Sequence, residues 1–395
     1  MSDFSLSLRL PVGAQQLYRQ RTSTMLVVLG VTVSVVMLFV QLGLQKAVFG
    51  SGVRVDKAIA GQIAIVNRNF QSIQSFSTVA RDMIEVAEAY PGVEKAMPFY
   101  YGNMPVINVK DGSAQQIMVY GIDPAYPALR LPGLTRQLQT IAMARRYLYD
   151  SYSRPNYGDI LRRIGQPGGL RIKGPLNTQQ LHKVISIAGT FRLGPNVLYN
   201  GALLTSAANF GIAPGWPLDR VSMVVVKLKP GVDAGRARKA IAALVGNRAK
   251  VLTKSQLVAA EKHFWADDTP IGYITDLGLV VGVAIGIIFI YQAIFQVIST
   301  NIPEYAVLKS LGYSNKFFAY VIIQISAIIV AASYVIGIIL SFIIFYFAES
   351  ATHLGIDMTF NIIVSVLAIT VTMALASAFL ALRRLVAVDP ITLFS

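Results

Sequence analysis

Residues 277–348, LGLVVGVAIGIIFIYQAIFQVISTNIPEYAVLKSLGYSNKFFAYVIIQISAIIVAASYVIGIILSFIIFYFA, decide the fold, because two long apolar runs flank one short polar segment. The runs 277–303 and 317–348 contain no Asp, Glu, Lys or Arg. Each is longer than the roughly 20 apolar residues that a helix needs to cross a bilayer. The intervening segment, 301–316, carries three charged side chains. The stretch therefore predicts two membrane-spanning helices joined by a short polar loop.

Two further charge-free runs lie towards the ends of the chain, at 22–45 and 358–382. Inside hydrocarbon a helix satisfies its own backbone hydrogen bonds, whereas four isolated strands could not close into a barrel. The apolar share of the chain, 54%, is above the soluble average and the charged share, 14%, is below it. We predict four transmembrane helices, at 22–45, 273–300, 317–348 and 358–382.

The distribution of charge in the short flanking segments predicts the orientation of these helices. Residues 1–21, 301–316 and 383–395 each carry more Lys and Arg than acids, whereas 349–357 contains two acids and no Lys or Arg. Positively charged short loops stay in the cytoplasm. We therefore expect an amphipathic cytoplasmic segment at 1–21, a cytoplasmic loop and a cytoplasmic tail, with both termini inside. The loop at 349–357 and the large segment are then periplasmic, and the localisation is the inner membrane.

The large segment, 46–272, is predicted to be a mixed α+β domain. The clearest unit is a strand at 221–228 and a helix at 233–245 followed by a strand at 250–252. Residues 123–180 are rich in Pro, Gly, Arg and Tyr and are weakly periodic, so we interpret them as an inserted subdomain. The predicted fold class is an α-helical membrane protein with four transmembrane helices and this extracytoplasmic domain. Further elements are predicted as a helix at 78–90 and strands at 61–66, 104–109, 116–121 and 184–187.

The net charge of +15 lies mostly in one part of the chain, since residues 46–276 hold 28 Lys and Arg against 15 Asp and Glu. Nucleic-acid-binding proteins concentrate such charge in patches with interleaved aromatic side chains. Here the basic residues are scattered among Pro, Gly and apolar strands. We expect a basic surface near anionic membrane lipid and no nucleic-acid partner.

No catalytic or metal-binding constellation is visible in the sequence. Cysteine is absent, and the three histidines, His182, His263 and His353, lie far apart. There is no G-x-x-x-x-G-K-[ST] motif for a nucleotide phosphate. The apolar cores of the predicted spans contain no ionisable residue of the kind that relays protons or ions. We expect a non-enzymatic chain without a cofactor of its own.

Four glutamines in the predicted spans leave two interpretations open. Gln41, Gln292, Gln296 and Gln324 could bind helices to one another, as polar side chains commonly do in membranes. They could also have a role beyond the packing of helices. The sequence does not separate these alternatives.

The segment 301–316 is the most informative short stretch. Pro303 suits the first position of a helix, Glu304 suits its positive N-terminus, and Gly312 suits a left-handed C-terminal cap. Tyr305, Leu308 and Leu311 follow one another at helical spacing and form an apolar stripe. Such a short helix is marginal alone. The pattern fits either a turn on the membrane surface or a plug for a cytoplasmic partner.

These residues resemble a known family. Residues 304–312, EYAVLKSLG, are similar to the E-[FIY]-[AG]-x-L-[KR]-A-[IL]-G segment of FtsX/MacB-type ABC transporter permeases, and 383–391 is similar to their closing R-x-x-x-x-D-P motif. The layout of one span, a large outer domain and three spans also agrees, so the resemblance covers essentially the whole chain. Residues 41–49, 120–124 and 149–155 resemble the DevC branch, the permeases of heterocyst-type glycolipid exporters.

The resemblance implies a permease of a tripartite exporter. Its implied partners are a cytoplasmic ABC ATPase dimer that binds ATP and Mg²⁺, a second copy of the chain, a periplasmic adaptor and a TolC-like outer-membrane duct. It implies that a short coupling helix receives the motion of the ATPases and passes it to the periplasmic domain, which expels a lipid-like or amphiphilic substrate. The implied coupling residues are Glu304, Tyr305, Leu308, Lys309, Leu311 and Gly312. No substrate-binding residue is implied.

Two alternatives within the same superfamily remain open. A lipoprotein-releasing permease would hand its cargo to a soluble carrier rather than to an adaptor. A mechanical regulator like FtsX itself would control a cell-wall hydrolase and transport nothing, but its outer domain is typically much smaller than the one predicted here.

Overall fold

The computed structural model describes residues 12–108, 111–164, 170–172, 183–212 and 219–386. The chain divides into two compact units. The helical unit consists of residues up to 46, 273–350 and 356 onward, and the α/β unit consists of 47–272 and 351–355. The α/β unit begins one residue after the predicted start of the extracytoplasmic domain. It also takes in 351–355, which the sequence assigned to a separate short loop.

Twelve α-helices lie within the described residues. Their bounds are α1 Val12–Arg19, α2 Arg21–Gly52, α3 Arg54–Ala58, α4 Met83–Glu88, α5 Leu138–Ala142, α6 Ala207–Ile212, α7 Ala234–Val245, α8 Lys254–His263, α9 Pro270–Thr300, α10 Ile302–Ser310, α11 Asn315–Thr352 and α12 Phe360–Val386.

Four of these helices, α2, α9, α11 and α12, are long and apolar enough to cross a membrane. They contact one another through small residues and through side chains that bind backbone carbonyls, as helices in lipid commonly do. A Cβ placed on Gly30 of α2 would lie 3.2 Å from the ring of Phe289 in α9. The Ser333 hydroxyl of α11 donates to the Val28 carbonyl of α2 at 3.1 Å.

Helix α12 completes the bundle by contacting both α9 and α11. Its Ser377 hydroxyl donates to the Ile287 carbonyl at 3.0 Å, and the Tyr334 hydroxyl of α11 donates to the Ile363 carbonyl at 2.7 Å. The four predicted spans are thus present as helices, and with the α/β unit they confirm the predicted fold class.

Eleven strands lie in the described part of the α/β unit. Their bounds are β1 Ile63–Val66, β2 Val79–Ala80, β3 Val93–Ile107, β4 Ala114–Ile122, β5 Arg146–Asp150, β6 Leu170–Ile172, β7 Lys183–Phe191, β8 Ala202–Ser206, β9 Arg220–Val221, β10 Met223–Leu228 and β11 Lys250–Thr253. Nine form one sheet in the order β11-β1-β10-β3-β4-β8-β5-β7-β6, and β2 pairs with β9.

One end of this sheet has the order of a split β-α-β motif. The strands β1, β3, β10 and β11 occupy positions 4-1-3-2 when numbered along the chain, with α4 before β3 and α7 before β11. This is the β-α-β-β-α-β arrangement of the ferredoxin-like fold. The predicted strand, helix and strand at 221–252 form its second half, with Asp233 capping α7 by accepting a 2.8 Å hydrogen bond from the Arg236 backbone.

The sheet is covered by apolar side chains on both faces, because successive residues of a strand point to opposite sides. In β10, Val224 and Val226 belong to the core on the side of α4 and α7, whereas Met223 and Val225 belong to the core on the other side. Val55 of α3, Ile141 of α5 and Leu257 of α8 close that second core. Near-continuous apolar strands are typical of sheets buried on both faces.

The segment predicted as an inserted subdomain, 123–180, is instead built into the sheet. Strand β5 lies between β8 and β7, and β6 pairs with β7 and with β3. The insertion therefore runs from β3 to β10 and extends the same sheet. Parts of the predicted subdomain, 165–169 and 173–180, lie outside the described residues.

The predicted helix at 78–90 is wrong over its first turn. Val79 and Ala80 form β2, paired with β9, and the helix α4 begins only at Met83. The β2 pairing uses a partner 140 residues away in sequence, so local periodicity could not reveal it. The other predicted strands overlap β1, β3, β4 and β7, although 61–62 precede β1 and 108 follows β3, and residue 109 lies outside the described residues.

Candidate coupling helix

The helix α10 begins with the residues that its sequence predicts. Pro303 lies in its first turn, where a missing N–H costs nothing, and Glu304 places a negative charge near the positive helix end. The Asn301 side chain before it donates to the Val297 carbonyl at 2.7 Å and so continues the hydrogen bonding from the end of α9.

The end of α10 is a Schellman motif. Gly312 has a φ of 89°, the left-handed conformation that favours glycine. Its N–H donates to the Lys309 carbonyl, and the Tyr313 N–H donates to the Leu308 carbonyl, both at 3.1 Å. These are the 5→2 and 6→1 hydrogen bonds of the motif. The predicted role of Gly312 as a C-terminal cap is confirmed, and α10 is a short helix with a fixed end.

Tyr305 fixes α10 to the rest of the helical unit. It is only 3% exposed, its hydroxyl donates to Gln16 Oε1 of α1 at 2.7 Å, and its ring packs edge-on against Phe318 of α11 with centroids 5.8 Å apart. Burial raises the pKa of the Tyr305 hydroxyl to about 12, so it remains a donor at physiological pH. The ring and the hydroxyl together hold three helices in one arrangement.

Helix α1 is the amphipathic segment that the sequence predicts, in its described part. Gly13, Gln16 and Leu17 are buried, whereas Tyr18 and Arg19 are exposed. Arg19 lies 4.0 Å from Glu304, but both side chains are solvent-exposed, so this ion pair contributes about 0–1 kcal/mol. The buried contacts, rather than the ion pair, hold α1 against α10.

The predicted apolar stripe of α10 is divided between two faces, which corrects the sequence interpretation. Tyr305 points inward and is covered by the chain's own helices, and Leu308 is half-buried. Leu311 is 70% exposed, and Val307, which lies outside the predicted stripe, is 49% exposed. The surface open to a partner therefore contains Glu304, Val307 and Leu311, with the half-buried Lys309 in the last turn.

The comparisons with known proteins match parts of the chain. Residues 277–390 match the FtsX-like permease C-terminal family. This FtsX-like region contains most of α9 and all of α10, α11 and α12. Its last residues, with Asp389 and Pro390 of the predicted closing motif, lie outside the described part of the chain. No curated protein matches the sequence.

Three solved structures are similar to part of the chain. The periplasmic region of MacB from Actinobacillus actinomycetemcomitans is 10% identical and covers 50% of this chain and 92% of its own, with a TM-score of 0.35. The extracellular domain of the noncanonic ABC-type transporter YknZ from Gram-positive bacteria is 11% identical, with 48% and 98% covered and a TM-score of 0.33. A domain of a putative permease protein from Porphyromonas gingivalis is 17% identical, with 48% and 85% covered and a TM-score of 0.31.

The four glutamines have different environments. The Gln41 amide of α2 donates to the Thr275 carbonyl of α9, so it binds two helices together. Gln324, in the FtsX-like region, lies against Gly13 of α1, although its buried Oε1 has no hydrogen-bond partner in the part of the chain that the structure describes. Gln292 and Gln296 are exposed on α9. The interpretation that the glutamines bind helices together thus holds for Gln41. It does not describe Gln292 and Gln296.

A buried carboxylate pair in the α/β unit is absent from the sequence-based candidates. Glu261 of α8 accepts hydrogen bonds from the Ser72 hydroxyl, the Ile73 N–H and the Trp265 indole at 2.8–3.0 Å. Asp56 of α3 is fully buried, and neither of its carboxylate oxygens has a hydrogen-bond partner among the described residues. The two acids are 205 positions apart, so only the packing of α3 against α8 brings them together.

The pKa of Asp56 is raised well above 3.8, first by burial and then by the charge of Glu261, while Lys254 acts in the opposite direction. Burial also raises the pKa of Glu261. A carboxyl group with a raised pKa in the folded state holds a proton that the unfolded chain releases. Stability therefore falls as the pH rises from about 4 through the folded-state pKa.

We expect Asp56→Asn to raise the melting temperature of the full-length protein at pH 8, because the neutral amide removes the cost of a buried negative charge. At pH 4 the substitution should have a much smaller effect, since Asp56 is then protonated in the folded state and only about half ionised in the unfolded chain. Thermal unfolding at both pH values measures this, with the exposed Asp219→Asn as the matched control. An Asp56→Asn variant that is less stable than the wild type at pH 8 contradicts this assignment.

Removing the Tyr305 anchor should release α1. Because the chain lacks cysteine, a single Leu17→Cys substitution reports on the buried face of α1 by its rate of thiol alkylation. Tyr305→Ala should increase this rate at least tenfold, since losing a buried aromatic ring costs about 3–5 kcal/mol. Tyr305→Phe, which removes only one hydrogen bond, should have a smaller effect.

A cysteine at the exposed Tyr18 is the control, and its alkylation should be fast in all variants. Equal alkylation rates for Leu17→Cys with and without the Tyr305 ring would show that this side chain does not hold α1.

Proposed function

We propose that this chain is the permease subunit of an ABC exporter and that α10 receives the motion of an ATPase made by another chain. The observation that carries the proposal is the division of α10 into an inner face anchored by Tyr305 and an outer face that exposes Val307 and Leu311. A helix of nine residues is marginal in isolation. The Tyr305 anchor and the Schellman cap keep α10 folded when a partner exerts force on it. The match of 277–390 to the FtsX-like family supports this role.

The energy for transport comes from the partner. The charge-free cores of the four spans, 22–45, 277–300, 317–348 and 358–382, contain no Asp, Glu, Lys, Arg or His, so they hold no residue that could relay protons or ions. The ATPase dimer binds ATP and Mg²⁺, and this chain is a non-catalytic subunit without a cofactor. The coupling residues are Glu304, Leu308, Lys309, Leu311 and Gly312, joined by Val307, while Tyr305 supports them from within.

The orientation follows from the charge of the short segments. We place both termini and α10 in the cytoplasm and the α/β unit in the periplasm of an inner membrane, because 349–357 alone among the short flanks lacks Lys and Arg. This places α10 on the side where ATP is available. The strongly basic α/β unit then lies beside anionic lipid headgroups.

A second copy of the chain covers the exposed glutamines of α9. Gln292 and Gln296 are four residues apart, so they lie on one face of a helix that is apolar enough to cross a membrane. Neither side chain has a hydrogen-bond partner among the described residues. A polar amide facing hydrocarbon is unfavourable, and interhelical hydrogen bonds are the usual remedy. We therefore propose a homodimer with this face of α9 in its interface.

The remaining partners extend the same scheme. A periplasmic adaptor and a TolC-like outer-membrane duct would receive a lipid-like or amphiphilic substrate, as in the DevC branch that residues 41–49, 120–124 and 149–155 resemble. The ATP-driven push on α10 passes through α9 and α2 to the α/β unit, which expels the substrate from the periplasmic side. The size of the α/β unit favours export over a purely mechanical regulator.

The proposed coupling surface predicts a separation of folding from coupling. Val307→Asp and Leu311→Asp change exposed side chains, so the melting temperature should stay close to that of the wild type. A charge at the centre of an apolar contact should reduce retention of the ATPase at least tenfold. The measurement is co-purification from native membranes, with the ABC ATPase identified and quantified by mass spectrometry, followed by ATP hydrolysis in nanodiscs.

The control is Gln15→Asp, which adds the same charge to an exposed position of α1. If all three variants retain the ATPase and its activity equally, α10 is not the coupling element and the proposed function is wrong.

The proposed dimer predicts that Gln292→Leu with Gln296→Leu weakens self-association about tenfold, since two interhelical hydrogen bonds of about 0.6–1 kcal/mol each are lost. Energy transfer between labelled copies in vesicles of varied protein-to-lipid ratio measures this. Thr372→Val on the exposed face of α12 is the control, because that hydroxyl already donates to the Ala368 carbonyl at 2.8 Å. Unchanged association of the double variant contradicts the proposed interface.

A further inference from the structure

The α/β unit contains an open groove of about 730 Å³ between the edges of β3 and β10 and the segment 125–138. Its volume lies in the usual range of small-molecule sites, which are mostly apolar with a few polar groups. The floor is formed by aliphatic and thioether side chains. They are Met97, Leu129, Leu131, Leu134 and Leu138.

The rim of the groove is cationic. Lys95, Arg130 and Lys227 line it together with a single acid, Glu94. Lys227 is paired with Glu94, and Lys95 is paired with Glu88 at 2.9 Å outside the groove lining. Lys95 also lies 5.1 Å from the ring centroid of Tyr126, whose ring forms part of the same rim. The ion pairs hold both ammonium groups at the rim, and the lining keeps an excess of positive charge.

Arg130 is the cation of the rim whose side chain has no partner among the residues that the structure describes. Its backbone is fixed, because its N–H donates to the Ala58 carbonyl at 2.7 Å and Leu129 pairs with Ile59. The pKa of nearby Lys254 is lowered, chiefly by burial and then by the positive charge of Arg130. The Arg130 side chain is exposed at the rim, and its planar guanidinium is suited to a carboxylate or phosphate group.

We propose that this groove binds an anionic single-chain amphiphile. The acyl chain lies on the floor formed by Met97 and the four leucines, and the anionic head group pairs with Arg130 at the rim. The combination of an apolar floor with Arg130, which has no side-chain partner among the described residues, favours such a ligand over a simple anion, which the floor would not hold. It also favours such a ligand over a neutral lipid, which would leave the Arg130 guanidinium without a partner. As a cargo site the groove rests on the proposed export function, whereas binding itself requires no ATPase.

The test is photolabelling of the full-length protein in phosphatidylcholine nanodiscs without the ATPase. The probe is a 16-carbon fatty acid with a diazirine near its methyl end, and labelled peptides are identified by mass spectrometry. We expect label on the peptides that contain Met97 and 131–138. Arg130→Glu should reduce this labelling about tenfold, because the head group loses a charge-assisted hydrogen bond and meets a like charge.

The matched control is Arg136→Glu, the same change at an exposed neighbour outside the groove, and it should alter labelling less than twofold. Thr135→Trp, at an exposed position of the lining, should block the groove and remove the label while leaving the melting temperature unchanged. The methyl ester of the probe, which has no charge, should label at least fivefold less than the acid.

Several outcomes overturn the proposal. They are equal labelling by acid and ester, equal effects of Arg130→Glu and Arg136→Glu, or competition by inorganic phosphate instead of by unlabelled fatty acid. If Thr135→Trp leaves labelling intact but releases a co-purifying periplasmic protein, the groove serves a protein partner and the proposal is wrong. Since no ATPase is present, labelling can succeed or fail independently of the coupling role of α10.

Discussion

The lack of water in the bilayer core is the constraint on which the rest of this structure depends. A polar group there that lacks a partner within protein costs free energy. The constraint makes the four spans helical and explains why the hydroxyl of Ser377 and the amide of Gln41 bind carbonyls of neighbouring helices. It also makes the exposure of Gln292 and Gln296 unfavourable in a membrane-spanning helix, whereas the same exposure would be ordinary in a soluble protein.

The same constraint shapes how force can pass through the chain. Close contacts between helices, such as Gly30 against Phe289, favour movement of the helices as rods. Tyr305 ties α10 to α1 and α11, so under the proposed function a push on α10 would be shared among three helices. In the proposed scheme, work is done elsewhere and this chain transmits it.

The sequence predicts the features that arise from local pattern and misses those that depend on distant contacts. Hydropathy identifies the four spans, and the Pro303, Glu304 and Gly312 signals define α10, because caps and apolar runs are local. The inward direction of Tyr305 depends on Gln16, 289 residues away, so the apolar stripe could not be divided between two faces from sequence. The burial of Asp56 and the place of β5 in the sheet likewise depend on distant strands and helices. The groove that Arg130 lines also forms only in the fold, because Met97 and Lys227 come from other parts of the chain.

The claim that this chain transmits the work of an ATPase is tested most directly by a distance measurement between the two copies of the proposed dimer. A spin label on Leu244→Cys, an exposed position of α7, reports the separation of the two α/β units in nanodiscs that contain the ATPase. The account predicts a change in the distance distribution on ATP binding, and its loss when Leu311→Asp is introduced. A change that persists in the Leu311→Asp variant, or that a proton gradient across a vesicle membrane produces without any ATPase, would contradict it.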